Sequence, residues 1–228
     1  MSNTKFKSIT IDGPSGAGKS TIAKKISEKI GFLYVDTGAL YRAVGLYILR
    51  NNISSKDKDK IENNLNNIDI IIKYINSEQR VFLNGEDISD EIRTTEIAMV
   101  ASDVSVFKPV RDFLLELQRD IARNNNVVMD GRDIATVVIP DASLKIFLTA
   151  SEKCRALRRY NQILKSGIED ITFDDVYKDL IIRDKNDSNR KISPLKKADG
   201  AILIDSSDMN VSQTLEFIYN IVREKLYI

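Results

Sequence analysis

Five short stretches of the chain are rich in β-branched and other strand-forming residues, at 7–12, 32–36, 127–130, 144–149 and 201–205. Runs of this kind and length suit strands that are covered on both faces, and the segments between them carry apolar residues at helical spacing. Between the first two, Ile22, Ala23, Ile26 and Ile30 recur three and four apart, and Gly31 offers a stop. Strand, helix and strand in that order predict a βαβ unit, and its repetition predicts a parallel sheet in an α/β fold. Four of the five runs end in or near aspartate or threonine, so polar groups collect at the carboxyl edge of the sheet, where open α/β sheets bind ligands.

Two segments break this rhythm. Over 68–88 the apolar residues alternate as in strands, with a polar turn at 76–79 and a second turn at Asn84-Gly85. This predicts a small antiparallel subdomain inserted after the second core strand. Over 152–187 the chain is helical in pattern and charged, with Arg155, Arg158, Arg159 and Gln162 three and four apart on one face. That face predicts a mobile basic lid, although a solvated helix surface has the same spacing. The Asn- and Lys-rich patch at 51–67 predicts a loop joined to a polar helix, and no internal repeat interrupts the pattern. The expected organisation is one domain, 1–228, with a core at about 1–38, 96–152 and 188–228, an insert at about 39–95 and a lid at about 153–187.

Composition removes several classes of function. At 228 residues and 43% hydrophobic, the chain can bury a sizeable core. Lys and Arg number 34 against 33 Asp and Glu, so no global field attracts nucleic acid or an anionic membrane, and neither partner is expected. Cys154 is the one cysteine and cannot form an internal disulfide, which predicts a reduced packing residue. The chain enters a strand by Lys7 without an apolar signal core, and no apolar run nears the ~20 residues that span a bilayer, so a cytoplasmic protein is expected; a monomer is the expected oligomeric state. Histidine is absent, which excludes Ser-His and Cys-His nucleophile systems and imidazole-based zinc sites. Phosphoryl transfer onto a phosphate acceptor satisfies that restriction. Its acceptor oxygen is already anionic, and catalysis is mostly positioning and charge stabilisation.

The sharpest local signal is Gly13-Pro14-Ser15-Gly16-Ala17-Gly18-Lys19-Ser20, which fits G-x-x-x-x-G-K-[ST] between the first strand and a helix expected from near Thr21. Glycines there let backbone N–H groups turn inward around a di- or triphosphate, the helix directs its positive end to the same place, and Lys19 adds a full charge. Ser20 offers a hydroxyl to magnesium.

These residues belong to a longer set of matches: IDGPSGAGKST, VDTGALYRA, LNGEDISDEIRT, VASDVS with PVRDFLLELQR, VVMDGRDIATVVIPDA, RALRRYNQILKSG, RDKNDSNR and SPLKKADGAILIDSS. In that order, over nearly the whole length, they make the chain resemble the bacterial cytidylate kinases, a nucleoside monophosphate kinase family. One departure is visible. Many members carry Gly and then Thr after the lysine, whereas here Ser20 precedes Thr21, which keeps a hydroxyl for magnesium. The resemblance implies a P-loop, adenylate-kinase-like α/β core with a five-stranded parallel sheet, an inserted antiparallel acceptor-binding subdomain and a helical lid. It implies ATP as donor, Mg2+ as cofactor, and CMP and dCMP as acceptors.

It also implies roles. Gly13 through Thr21 hold the ATP phosphates, and Asp130, closing a strand beside the loop, organises the magnesium with Ser20. Arg42, Arg132 and Arg190 grip the acceptor phosphate or the group in flight, and Arg158 and Arg159 close over the substrates from the lid. Arg183 and Asp187 contact the sugar hydroxyls, although four apart on a helix they also make an ordinary side-chain pair. Ser102, Arg111 and Asp133 read cytosine. A carboxylate suits the base's amino group and a guanidinium suits its acceptors, whereas uracil inverts the first two groups. Thr37 lies near the acceptor sugar or phosphate, or caps a helix. A kinase for UMP or AMP is the near alternative. A GTPase switch is disfavoured because no glycine has aspartate three residues before it, and a nucleic-acid-binding module by the lack of an aromatic platform.

Overall fold

The computed structural model describes residues 6–76, 78–165, 167 and 170–227. Ser77 of the expected turn at 76–79, and Ser166, Ile168 and Glu169 of the expected lid, lie outside the described residues. Along the chain run β1 (Ser8–Asp12), α1 (Lys19–Ile30), β2 (Leu33–Asp36), α2 (Thr37–Arg50), α3 (Lys58–Asn64), β3 (Ile70–Ile75), β4 (Glu78–Leu83), β5 (Glu86–Asp87), α4 (Thr95–Val104) and α5 (Lys108–Asn124). Then follow β6 (Val127–Gly131), β7 (Leu144–Thr149), α6 (Glu152–Lys165), α7 (Phe173–Ser188), β8 (Ile202–Asp205) and α8 (Val211–Leu226). The chain divides into two compact units, one of Met1–Tyr34 with Asn124–Ile228 and one of Val35–Arg123, and the crossing from the first to the second falls inside β2.

The first unit is built on a five-stranded sheet in the order β2-β6-β1-β7-β8. Parallel pairing joins β1 to β6 and to β7, and β7 to β8, so the carboxyl ends of these strands share one edge. All five residues of β1 are buried, as a central strand covered on both faces requires. Ile22, Ala23 and Ile26 of α1 and Ile218 and Val222 of α8 pack with Ile9, Ile11, Ile146 and Leu148 into one core. Each of these Ile, Leu and Val side chains contributes roughly 1.5–3 kcal/mol through removal from water. Helix α8 is started by a capping box in which Asn210 accepts from Gln213 N and the Gln213 side chain accepts from Asn210 N.

The second unit packs α2 with α4, α5 and one face of the antiparallel sheet β3-β4-β5, around Leu40, Val44, Ile48, Val81, Leu83, Ile92 and Leu114. The Asn84-Gly85 turn joins β4 to β5 with both residues at positive φ, 49° and 87°, as a tight hairpin demands. The polar helix expected within 51–67 is α3, capped by Asp57.

Two boundaries differ from the sequence pattern. Helix α1 begins at Lys19, not Thr21, because Gly18 takes a left-handed conformation and turns the chain into the helix at once. The single helical stretch over 152–187 is two helices, and Thr172 starts the second with a capping box to Asp175. Among the described residues no helix is long and apolar enough to cross a membrane.

Candidate active site

The loop 13–18 leaves the carboxyl end of β1 and feeds α1. At its start, a Cβ on Gly13 would lie 1.9 Å from the Leu148 carbonyl oxygen, so no other residue fits there. At its end, Lys19 and Ser20 occupy the first turn of α1, where backbone N–H groups have no intrahelical acceptor and can serve an anion. Lys19 is buried and its Nζ donates to the Pro14 carbonyl at 2.7 Å. Burial first, and then the positive charge of Arg132, push its pKa well below the ordinary lysine value. A bound polyphosphate supplies the negative charge that this buried ammonium lacks, so the loop fits a nucleotide.

Beside it, Asp130 is the last residue but one of β6, level with Ile11 of β1. Ser20 Oγ donates to Asp130 Oδ2 at 2.8 Å and Tyr34 Oη donates to Oδ1 at 2.9 Å. A hydroxyl and a carboxylate joined at the mouth of a phosphate loop form a hard-oxygen set of the kind magnesium takes together with waters and phosphate oxygens. The residues present therefore fit that ion.

The next residues along β6 lead into a cationic cluster. Arg132 Nε donates to Asp187 Oδ2 at 2.8 Å, and Arg190 donates to Oδ1 of the same carboxylate. Burial works to raise the Asp187 pKa, but the charges of Arg132 and Arg190 outweigh it and hold the carboxyl below its usual range. Arg183, a turn before Asp187 on α7, adds its charge to the same surroundings. Three arginines thus converge on one carboxylate, a surplus of positive charge suited to phosphate. The i,i+4 pair read from the sequence is only part of this arrangement. Asp187 is committed to Arg132 and Arg190, which lie 55 positions before it and three after it.

Asp133 is buried and stands at the entry of a wide turn, 134–138, closed by a bond from Ile139 N to the Ile134 carbonyl at 2.8 Å. The carboxylate of Asp12, at the end of β1, accepts from Ile134 N at 2.9 Å and Ala135 N at 2.8 Å. Burial raises the Asp12 pKa to about 6, and the two amide bonds oppose it.

On α6 the four-residue face divides. Arg155 is buried, its Nη1 donating to the Ser15 carbonyl at 2.9 Å. Arg158 donates to the carbonyls of Ser206 at 2.6 Å and Met209 at 3.1 Å, and more weakly to that of Ala17 at 3.4 Å. Arg159 donates to Gln162 Oε1 at 3.0 Å. Arg158 therefore stands as a strut between the phosphate loop and the 206–209 segment. Cys154, half-buried, places its Sγ 3.6 Å from the Ser207 carbonyl.

In the second unit, Asp36 organises its surroundings. Its carboxylate caps α2 by accepting from Ala39 N at 3.0 Å, and it accepts from Arg42 at 3.3 Å and Arg93 at 2.9 Å. Burial works to raise its pKa, and the charges of Arg42 and Arg93 pull it below the ordinary value. The cap of α2 is thus Asp36; Thr37 is the buried first residue of the helix, so capping does not account for its hydroxyl. Arg111 is buried, bonds the Ser105 carbonyl at 3.0 Å and lies 5.4 Å from the centre of the Tyr41 ring. Ser102 is half-buried on α4, its carbonyl accepting from Ser105 Oγ.

Residues 13–21, Asp130, Arg132, Asp133, Arg158, Arg159, Arg183, Asp187 and Arg190 belong to the first unit, and Thr37, Arg42, Ser102 and Arg111 to the second. Sequence reasoning did not single out Asp12, Tyr34, Asp36, Arg93 or the inward role of Arg155. A signal was present for two of them, since Asp12 and Asp36 are lone charges closing apolar strands.

The cytidylate kinase family model matches residues 9–224. A cytidylate kinase of Thermosipho melanesiensis is 46% identical over 217 residues, covering 95% of this chain and 97% of its own. One of Fusobacterium nucleatum is 49% identical over 92% of this chain and 94% of its own, and one of Caldicellulosiruptor bescii 45% identical over 96% and 98%. With a phosphate loop, a hydroxyl–carboxylate pair beside it and a model match that runs through every one of these elements, the chain belongs to the cytidylate kinase family.

Proposed function

We propose that this protein transfers the terminal phosphoryl group of ATP to the phosphate of CMP, and of dCMP, giving ADP and the corresponding cytidine diphosphate. The near full-length match to cytidylate kinases carries this reading, and the side chains supply a role at each step. Backbone N–H groups of 13–21 and the ammonium of Lys19 hold the donor phosphates. Ser20 and Asp130 would hold magnesium, which would supply neutralisation of phosphate charge at this place. Tyr34 keeps Asp130 oriented by occupying its other oxygen.

Arg132 and Arg190, fixed by Asp187, stabilise the charge spread over the phosphoryl oxygens, and Arg183 serves the sugar end of the acceptor. Arg42, steadied by Asp36, takes the acceptor phosphate, with Thr37 beside it. Asp133 accepts from the cytosine amino group, while Arg111 and Ser102 serve its acceptors. Arg159 acts from the lid. No residue has to remove a proton from the acceptor, since the attacking oxygen is an ionised phosphate, and this agrees with a chain that has no histidine. We assign the acceptor-binding insert to about 39–95, the lid to about 153–187 and the core to the remainder, and expect a monomer in the cytoplasm.

ADP formation measured with CMP, dCMP, UMP, AMP and GMP at equal concentration tests the assignment. CMP and dCMP should lead. Faster turnover of UMP or AMP would overturn the choice of base.

A further inference from the structure

Arg155 has no part in the roles just assigned, yet it is only 4% exposed and holds three separate parts of the first unit. Its Nε donates to the carbonyl of Ala150, just past β7, at 2.8 Å. Its Nη1 donates to the carbonyl of Ser15 in the phosphate loop at 2.9 Å and pairs with Asp184 Oδ2 on α7 at 2.5 Å. The loop also rests on the backbone of this residue. A Cβ on Gly16 would come within 2.8 Å of the Arg155 carbonyl oxygen and 3.0 Å of its Cβ. The second oxygen of Asp184, although buried, has no hydrogen-bond partner among the described residues, so the carboxylate is held from one side only.

Asp184 stands next to Arg183 and one turn before Asp187, the carboxylate on which Arg132 and Arg190 converge. One guanidinium thus connects the loop that takes the donor phosphates to the helix that sets the acceptor cluster. Buried ion pairs are weak stabilisers in themselves, since desolvation offsets much of the attraction. Stability alone therefore gives no reason to span this pair of elements. Nη1 is shared between the Ser15 carbonyl and Asp184 of α7, so any shift of that carbonyl on phosphate binding would bear directly on the contact to α7.

We propose that Arg155 is a positioning residue that couples the phosphate loop to α7, so that donor binding sets Arg183, Asp187, Arg132 and Arg190 for the acceptor. The inference rests on the kinase reading above. Lysine cannot replace it, because one ammonium on a flexible stem does not reproduce the fork that meets Ala150, Ser15 and Asp184 together.

Titration calorimetry with CMP, in the absence and presence of saturating magnesium and a non-hydrolysable ATP analogue, tests it on the wild type, Arg155→Lys, Asp184→Asn and the double variant. Wild type should bind CMP about fivefold or more tightly once the analogue is bound. In each single variant that ratio should fall to within about twofold of one, with CMP affinity in the absence of analogue changed much less at a temperature where a melt shows the variant folded, and the double variant should lose no further coupling; the thermal midpoint itself should fall, since each single change breaks a buried pair. Should Arg155→Lys fail to fold, Asp184→Asn decides, since it leaves the bonds to Ser15 and Ala150 in place. A ratio unchanged in the folded variants, or a wild type in which the analogue does not alter CMP affinity, overturns the coupling and leaves the kinase reading intact. A wild type that binds neither nucleotide overturns both.

Discussion

Replacing Asp12 by Asn removes a buried charge whose cost can be read from its surroundings. The carboxylate is 2% exposed and accepts two amide protons, yet burial carries its pKa from 3.8 to about 6. Asp133 adds to the rise and Lys19 opposes it. A raised carboxyl pKa means that the folded state binds this proton more tightly than the unfolded chain, so the contribution of Asp12 to stability is greatest below about pH 4. It is lost as pH rises through about 6, and at about 1.4 kcal/mol per pKa unit the loss amounts to about 3 kcal/mol. Asp36 and Asp187 titrate in the opposite sense but are common to both proteins and cancel in the difference. Urea unfolding of wild type and Asp12→Asn from pH 4 to pH 7.5 measures that difference. Wild type should lose up to about 3 kcal/mol relative to the variant across the range. At neutral pH the variant should nonetheless turn over CMP more slowly, because an amide cannot accept from Ile134 N and Ala135 N together and the turn after Asp133 loosens. Parallel stability curves would refute the reasoning.

Lys19→Met should lower turnover by about 10²-fold or more while leaving the thermal midpoint unchanged or higher, since a buried ammonium held below its ordinary pKa costs stability. Steady-state kinetics and a thermal melt check both halves. Asp133→Asn should weaken CMP by roughly 1–3 kcal/mol and penalise UMP much less, shrinking the CMP to UMP preference in kcat/KM about tenfold; a constant ratio would mean that Asp133 only supports Arg132. Arg158→Ala should cost stability by about 1–3 kcal/mol, because the Met209 carbonyl loses the guanidinium and the Ser206 carbonyl keeps only its bond from Met209 N, whereas Arg159→Ala should leave the melt unchanged and lower kcat more than it weakens CMP. Equal stability losses in the two variants would contradict that division.

What could be read from the sequence and what could not divide by the range of the forces involved. The phosphate loop is a contiguous spacing, and each core strand ends within one residue of its pattern, because apolar runs and turn residues act locally. The two-turn pattern over 68–88 gives β3, β4 and β5 for the same reason. The roles of Asp12, Arg155 and Arg93 depend on partners 122, 140 and 57 positions away, and no local pattern carries those distances. Helical spacing placed Arg155, Arg158 and Arg159 on one face. Only packing shows that the first two turn inward to carbonyls while the third does not.

Every role assigned to these side chains serves one transfer, from ATP to the phosphate of CMP. A time course of ATP with CMP and magnesium, followed by 31P NMR, measures it directly. The account predicts ADP and CDP appearing in equal amounts, with negligible ADP when CMP is left out. Inorganic phosphate released in place of CDP, or ADP formed at the same rate without CMP, would contradict it.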